Sequence, residues 1–277
     1  MIDGDTALIA HLGYPTATFK APMIYNPYFE AEHINAVVVP MGVIADNYPA
    51  MLAQLRRVTN FRGALVTMPH KVTTLGLVED ASPAAKIAGA CNAVRRRPDG
   101  ALEGDMFDGE GFVRGVKRKG RQLAGARALV VGNGGVGSAI AASLAGAGVA
   151  EIGLFDVGAA ATTALAARLS RHHPKLRIVS GRADPTGYDL VVNATPLGMK
   201  DGDPLPVDVT RLAPSTFVGE VVLKQDMTPF LRQAAARGCQ IQVGLDMLFE
   251  QIPAYLEFFG FPTTTPERLR ALSRIVA

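Results

Sequence analysis

The chain has 277 residues, 48% apolar and 19% charged, with a formal net charge of +3. That length suits about two domains, and the balance is ordinary for a globular α/β protein. Three classes are set aside at once. No apolar run approaches membrane-spanning length. No Lys/Arg run interleaves with aromatic residues as a nucleic-acid face would. No HExxH or Cys/His set offers metal ligands.

The first hundred residues alternate strand and helix patterns. Residues 7–11 read as a strand, followed by a turn at Gly13-Tyr14-Pro15. A helix over 22–32 and a strand over 36–39 come next. A helix over 46–58 takes Asp46 as its N-cap. Residues 63–67 form a third strand, ended by Met68-Pro69. A helix over 82–88 starts with Ser82 as cap and Pro83 at its first position. Residues 91–95 make another strand, turned by Pro98-Asp99-Gly100. This alternation predicts a mostly parallel sheet. A helix over 108–118 links this part to a second domain.

The most specific local signal begins at Ala128. The run Ala128-Leu129-Val130-Val131-Gly132-Asn133-Gly134-Gly135-Val136-Gly137 is a buried strand, a glycine turn and the start of an Ala-rich helix. Gly132 permits the tight turn, Gly134 lets a pyrophosphate approach the backbone, and Gly137 lets helix and strand pack closely. The helix start offers unpaired N–H groups and a positive dipole to phosphates. The next strand, 151–155, ends at Asp156. A carboxylate there accepts hydrogen bonds from both ribose hydroxyls and repels a 2′-phosphate. No arginine succeeds it, since Val157 and Gly158 come next, so NAD is expected rather than NADP. Strands at 189–193, 216–220 and 240–244 and a helix at 228–237 complete this domain. The tail, 245–276, is helical in pattern with interruptions at Pro253 and Pro262, and is free to pack back on the first domain.

Small features round out the expectation. Cys91 and Cys239 lie far apart and read as reduced thiols. The acidic N-terminus is unlike a secretory signal, so a cytoplasmic protein is expected. Arg95-Arg96-Arg97 and Lys117-Arg118-Lys119 read as solvated turns or helix ends, and His172-His173 as a helix end. The mild positive charge suits a small anionic substrate, with no nucleic-acid or membrane partner. Monomer and homodimer are both left open.

A nicotinamide enzyme must manage the proton of the oxygen from which hydride leaves. Three segments outside the fingerprint are suited to proton handling, namely Val66 to Lys71, Gly89 to Ala93, and Gly104 to Gly109. The first ends a strand, where open α/β sheets place ligands. His70, beside Lys71, is assigned a structural role because neighbouring residues at a strand end face opposite ways. Tyr14 and Tyr25 fit either a substrate contact or the core.

Taken in order, these pieces resemble the shikimate/quinate dehydrogenase family. The matching set is Gly13-Tyr14-Pro15 with Lys20 and Pro22, Val66 to Lys71, Gly89 to Asn92, Gly104-Asp105 with Asp108-Gly109, the glycine fingerprint, Asn193-Ala194-Thr195, Thr228 to Leu231, and Gly244 to Leu248 with Gln251. The resemblance implies two α/β domains with a cleft between them. One is a substrate domain with a mostly parallel sheet, 1–107 with 243–277; the other is a Rossmann dinucleotide-binding domain, 108–242. It implies Lys71 and Asp108 as a catalytic dyad. It places Thr67, Asn92 and Gln251 at the substrate, with Phe19 and Ala21 at two further substrate positions. It places the cofactor against Gly132 to Gly137, Asp156, Asn193 to Pro196, Val221, Gly244, Met247 and Leu248.

The chain departs from the family pattern where Phe19 and Ala21 replace two serines that hold the substrate carboxylate. Leu65 replaces an asparagine, Met106-Phe107 replace Asn-Thr, and Leu223 replaces a tyrosine. Lost hydrogen bonds to a charged group cost about 1.5–3 kcal/mol each unless replaced. Thr18, Lys20 and Lys224 are candidate replacements. The expected activity is NAD-dependent, reversible oxidation of a shikimate- or quinate-like cyclic hydroxy acid. These departures point to a paralogue rather than the enzyme of aromatic amino-acid synthesis. Two alternatives stand beside it: an NAD-binding sensor without catalysis, and a dehydrogenase of a less polar alcohol.

Overall fold

A computed structural model describes residues 2–17 and 19–275. Thr18 and the end of the tail at Val276 lie outside the described residues. The chain divides into two compact units, one running to Phe107 and resuming at Ile252, the other spanning Asp108–Gln251.

The first unit runs β1 (Ala7–Gly13), α1 (Pro22–Ala31), β2 (Ala36–Gly42), α2 (Tyr48–Leu55), β3 (Phe61–Val66), α3 (Lys71–Leu75), β4 (Asp80–Ala81), α4 (Pro83–Ala88), β5 (Ala93–Arg96) and β6 (Leu102–Asp105). Its sheet has the order β2-β1-β3-β5-β6-β4. The β2-β1-β3 half and the β4–β6 pair are parallel, whereas β5 runs antiparallel to both β3 and β6. Side chains alternate across a strand. Ala10 and Leu12 of β1 therefore share a core with Tyr48, Leu52, Val66 and Val94, while Ile9, His11 and Gly13 face the other side.

The second unit runs α5 (Asp108–Arg118), β7 (Arg127–Val131), α6 (Gly135–Gly146), β8 (Glu151–Phe155), α7 (Ala159–His172), β9 (Arg177–Ser180), β10 (Leu190–Asn193), β11 (Phe217–Glu220), α8 (Pro229–Ala236) and β12 (Gln240–Gln242). Its strands lie in the order β12-β11-β10-β7-β8-β9, all parallel. That is the doubly wound dinucleotide-binding order, with the reversal beside β7 where ligands bind. Two helices close the chain, α9 (Gly244–Phe259) and α10 (Pro266–Leu272). The latter packs on α1, where Arg274 donates its backbone N–H to the Met23 carbonyl and Arg268 pairs with Glu32.

Several local expectations need correction. Asp46 does not cap α2: it sits in a 3₁₀ turn, Ala45–Asn47, and the helix starts at Tyr48 with Pro49 in its first turn. Pro253 does not interrupt the tail, because α9 continues through it; only the segment with Pro262 breaks the helix. Arg95 and Arg96 lie on β5, and Arg95 pairs with Glu103 of β6 at 2.5 Å, so this run is not a solvated turn. The second unit ends at Gln251, within α9, rather than at 242. The first half of α9 packs on α5: a Cβ on Gly111 would stand 2.6 Å from the Met247 carbonyl oxygen and from Gln251 Cβ. Arg118–Glu250 and Lys119–Asp246 ion pairs join the same two helices. Ser82 does cap α4, accepting the Ala85 N–H at 3.1 Å.

Candidate dinucleotide and substrate sites

The turn after β7 has the geometry of a phosphate cradle. Gly132 has φ of +94°, a conformation that disfavours any side chain, and a Cβ there would strike the Ala194 carbonyl carbon at 2.7 Å. A Cβ on Gly137 would lie 1.8 Å from the Gly132 carbonyl oxygen, so helix and turn approach as closely as glycine allows. Nothing lies within 4 Å of a Cβ built on Gly134, which leaves open space at the start of α6. Gly134 is the N-cap of α6 and provides no side-chain cap. The helix therefore begins with N–H groups available to an anion. These residues fit a dinucleotide.

Asp156 succeeds β8 and is tied to the same turn. Its Oδ2 accepts the Asn133 N–H at 2.6 Å and its Oδ1 accepts the Gly158 N–H at 2.8 Å. Each oxygen retains a lone pair for a ribose hydroxyl. Val157 beside it is fully exposed and carries no charge. Asn133 is turned inward, its Oδ1 accepting from Thr162 at 2.8 Å and its carbonyl from the Ser138 hydroxyl at 3.0 Å, so it shapes the turn. Asn193 is likewise spent inside the fold. Its Oδ1 accepts the Thr195 N–H and hydroxyl, and its Nδ2 donates to the Leu197 carbonyl, which shapes the Ala194-Thr195-Pro196 turn. Gly244 begins α9 under the Val222 carbonyl oxygen, 2.2 Å from where its Cβ would be. Met247 is buried, while Val221 and Leu248 are half-buried.

Sequence reasoning passed over Glu220, the last residue of β11. It is fully buried, and its Oε2 accepts from Thr228 at 2.9 Å and from Asn193 Nδ2 at 3.5 Å. Its Oε1 has no partner. Burial pushes its carboxyl up to about 7, against the downward pull of those two hydrogen bonds. An acid ending an otherwise apolar strand was the available signal. Gln251, in the same unit, also has a buried side-chain oxygen without a partner. Asp108 opens α5 and is buried.

In the first unit, Lys71 opens α3, directly after the β3 strand end and the Thr67-to-His70 turn. The Lys71 carbonyl accepts the Cys91 N–H at 2.9 Å, and the Asn92 carbonyl accepts the Val66 N–H at 2.8 Å. The 89–92 segment is thereby laced to the strand end beside Lys71. Asn92 Oδ1 accepts the Phe107 N–H at 2.9 Å. Phe19 and Thr67 meet over Gly13, whose Cβ would lie 2.4 Å from Thr67 Cγ2 and 2.8 Å from Phe19 Cζ. Ala21 sits half-buried just before α1. Lys20 is also half-buried in this unit, whereas Lys224 is exposed in the other. His70 is buried beneath this turn. Its Nε2 meets the Val43 carbonyl at 2.8 Å and its ring stacks on Tyr48 at 4.0 Å, a packing role. Tyr25 is buried and Tyr14 exposed. Leu223 is exposed.

Fold and glycine turn together define a two-unit α/β protein with a Rossmann dinucleotide-binding unit. Comparison with known proteins narrows this. Residues 12–94 match the shikimate dehydrogenase substrate binding domain, and residues 113–182 match the ThiF family. The chain is 35% identical to a shikimate dehydrogenase (NADP(+)) of Rubrobacter xylanophilus, covering 98% of this chain and 97% of that one. It is 34% identical to one of Acidiphilium cryptum, covering 100% and 98%. The chain belongs to the shikimate dehydrogenase family. Among solved structures, shikimate 5-dehydrogenase of Listeria monocytogenes with shikimate and NAD superposes with a TM-score of 0.91 at 26% identity, covering 98% of this chain and 97% of that one. The ligand-free 5-ketofructose reductase of a Gluconobacter species superposes at 0.89 and 27%, covering 96% and 97%.

Proposed function

We propose that the protein is an NAD-dependent oxidoreductase that moves hydride reversibly between NAD and a shikimate- or quinate-like cyclic hydroxy acid. One observation carries the reading. A chain of the shikimate dehydrogenase family keeps an open glycine turn braced by Asp156; Lys71 and Asp108 stand where the sequence resemblance puts the catalytic dyad. When bound, NAD supplies the hydride acceptor. The chain's own residues bind, orient and move the proton. In the oxidation direction Lys71, in its free-amine form, takes the hydroxyl proton as hydride departs and becomes an ammonium; Asp108 is its partner at the second dyad position that the resemblance implies. In reduction Lys71 returns a proton to the new alkoxide oxygen. General acid–base help of this kind contributes about 10²–10⁴-fold.

Asn92, Thr67 and Gln251 orient the remaining substituents. Phe19 and Ala21 occupy the positions where the resemblance expects serines, so the acid group must find other donors. Asp156 supports NAD over the NADP named for the curated relatives, because a carboxylate opposes a 2′-phosphate and no cation stands at Val157. The dehydrogenase reading is tested by following NADH formation with shikimate, quinate and either cofactor. Turnover that disappears in Lys71→Ala while NAD binding persists supports it; a Lys71→Ala variant as active as the parent overturns it.

A second reading, a ring or chain alcohol lacking the carboxylate, is favoured by the apolar Phe19 ring at a serine position. The 5-ketofructose reductase neighbour lends it support, since its named substrate is a ketose. Methyl shikimate turned over faster than shikimate would select this form.

A further inference from the structure

β1 carries one polar side chain on an otherwise apolar stretch, His11. It lies in the β1–β3 register directly beside Leu65, two residues before Gly13, at the end of the parallel strands where α/β sheets bind ligands. Its ring stacks on Phe19 with centroids 3.9 Å apart and planes 28° apart. His11 is only 8% exposed and its Nδ1 is buried without a hydrogen-bond partner. Among the described residues no hydrogen bond reaches this ring. Burial, and then the charge of Lys71, bring its pKa down to about 4, so the ring is neutral at physiological pH and the Lys71 ammonium lies within its electrostatic reach.

A buried imidazole with unused hydrogen-bonding capacity costs stability that an aliphatic residue would not. Packing alone does not account for it, because Val or Leu would fill the same strand position without a stranded nitrogen. The ring instead stacks on Phe19, which meets Thr67 over Gly13, and it feels the charge of Lys71; Phe19, Thr67 and Lys71 are residues that the dehydrogenase reading puts at the substrate. A neutral imidazole presents one donor and one acceptor. A half-turn about Cβ–Cγ exchanges the nitrogens with the ring carbons, so the same side chain can turn either a nitrogen or a carbon toward a ligand.

We propose that His11 is a substrate-recognition residue, its neutral imidazole exchanging a hydrogen bond with an uncharged hydroxyl or carbonyl oxygen of a polyhydroxylated ring, while its face is fixed by Phe19. This inference rests on the dehydrogenase reading for the identity of the ligand. The hydroxyl belongs equally to an acid such as shikimate or to its neutral counterpart.

The test is calorimetric titration of the NAD-saturated protein with shikimate and with methyl shikimate, using the parent, His11→Val and His11→Gln. His11→Val should weaken ring binding about three- to tenfold, the worth of one neutral hydrogen bond. NAD affinity and melting temperature should hold or improve, and His11→Gln should recover part of the loss. A His11-dependent affinity for both rings, or for methyl shikimate alone, supports the proposal and says which form the site prefers. His11→Val and His11→Gln both binding the rings as the parent does, or a parent that binds neither ring, overturns it. The two claims fail separately: His11-dependent binding without any NADH formation removes the dehydrogenase reading alone, and Lys71-dependent turnover with His11-independent binding removes this one alone.

Discussion

The carboxylate of Asp156 and the backbone N–H of Asn133 are joined at 2.6 Å, so the residue expected to read the cofactor's ribose also braces the turn expected to hold its phosphates. One side chain thus couples cofactor choice to the shape of the cradle. The companion bond to Gly158 fixes the carboxylate from the other side.

Asp156→Ala should therefore do two things. The preference for NAD over NADP, read as the ratio of kcat/KM values, should narrow, mainly through a higher KM for NAD. The variant should also lose about 1–3 kcal/mol of stability from two charge-assisted hydrogen bonds, less whatever water restores. Equal use of both cofactors by the parent would remove the assigned role of Asp156.

Gly134 and Gly137, at the two ends of one helical turn, should behave oppositely on substitution. Gly137→Ala places a methyl 1.8 Å from the Gly132 carbonyl oxygen, so the turn must shift and thermal stability should fall. Gly134→Ala meets nothing within 4 Å, so the variant should melt close to the parent. If a pyrophosphate uses that space, its NAD affinity should nevertheless drop by roughly tenfold or more, the loss of about 1.4 kcal/mol of binding. Unchanged NAD affinity in Gly134→Ala would place the phosphates elsewhere.

Glu220 predicts a pH dependence of stability. Its carboxyl is raised from 4.5 to about 7 by burial, so the native state holds the proton more tightly than the unfolded chain. The native state is favoured by this group below pH 4.5, and that advantage is lost as pH rises through about 7. The full loss is on the order of 3 kcal/mol. Glu220→Gln keeps the shape and removes the titration. Its melting temperature should exceed the parent's at pH 8 and approach it at pH 5. Parallel pH profiles for the two proteins would show that the carboxyl does not titrate in this window.

Much of the fold is legible in the sequence, and the reasons are physical. The β7–α6–β8 segment is readable because Gly132 and Gly137 answer to steric demands that no other residue meets. Ser82 with Pro83 marks the start of α4 for the same kind of reason. The elements that escape detection lack a local pattern. β4 has two residues, and β9 is a mostly exposed edge strand. α3 is a five-residue helix directly after the turn containing Pro69. Asp46 looks like a cap, but Pro49 moves the helix start beyond it. Pro253 looks like a break, but α9 is held on both sides of it by packing. His11 and Glu220 are hidden because a polar residue in an apolar strand reveals its burial only when the neighbouring elements are in place. The departures at Phe19, Ala21 and Leu65 are visible in the sequence; the stacking of Phe19 on His11 is not.

The proposed role of Lys71 in proton transfer is open to one paired measurement. NADH formation is followed with a panel of cyclic hydroxy acids and their methyl esters, and NAD binding is measured by fluorescence, for the parent and for Lys71→Ala. The parent should turn over at least one ring, Lys71→Ala should be slower by about 10²-fold or more, and both should bind NAD equally. A parent that binds NAD yet oxidises none of the panel, or a Lys71→Ala variant that retains the parent's rate, would contradict that role.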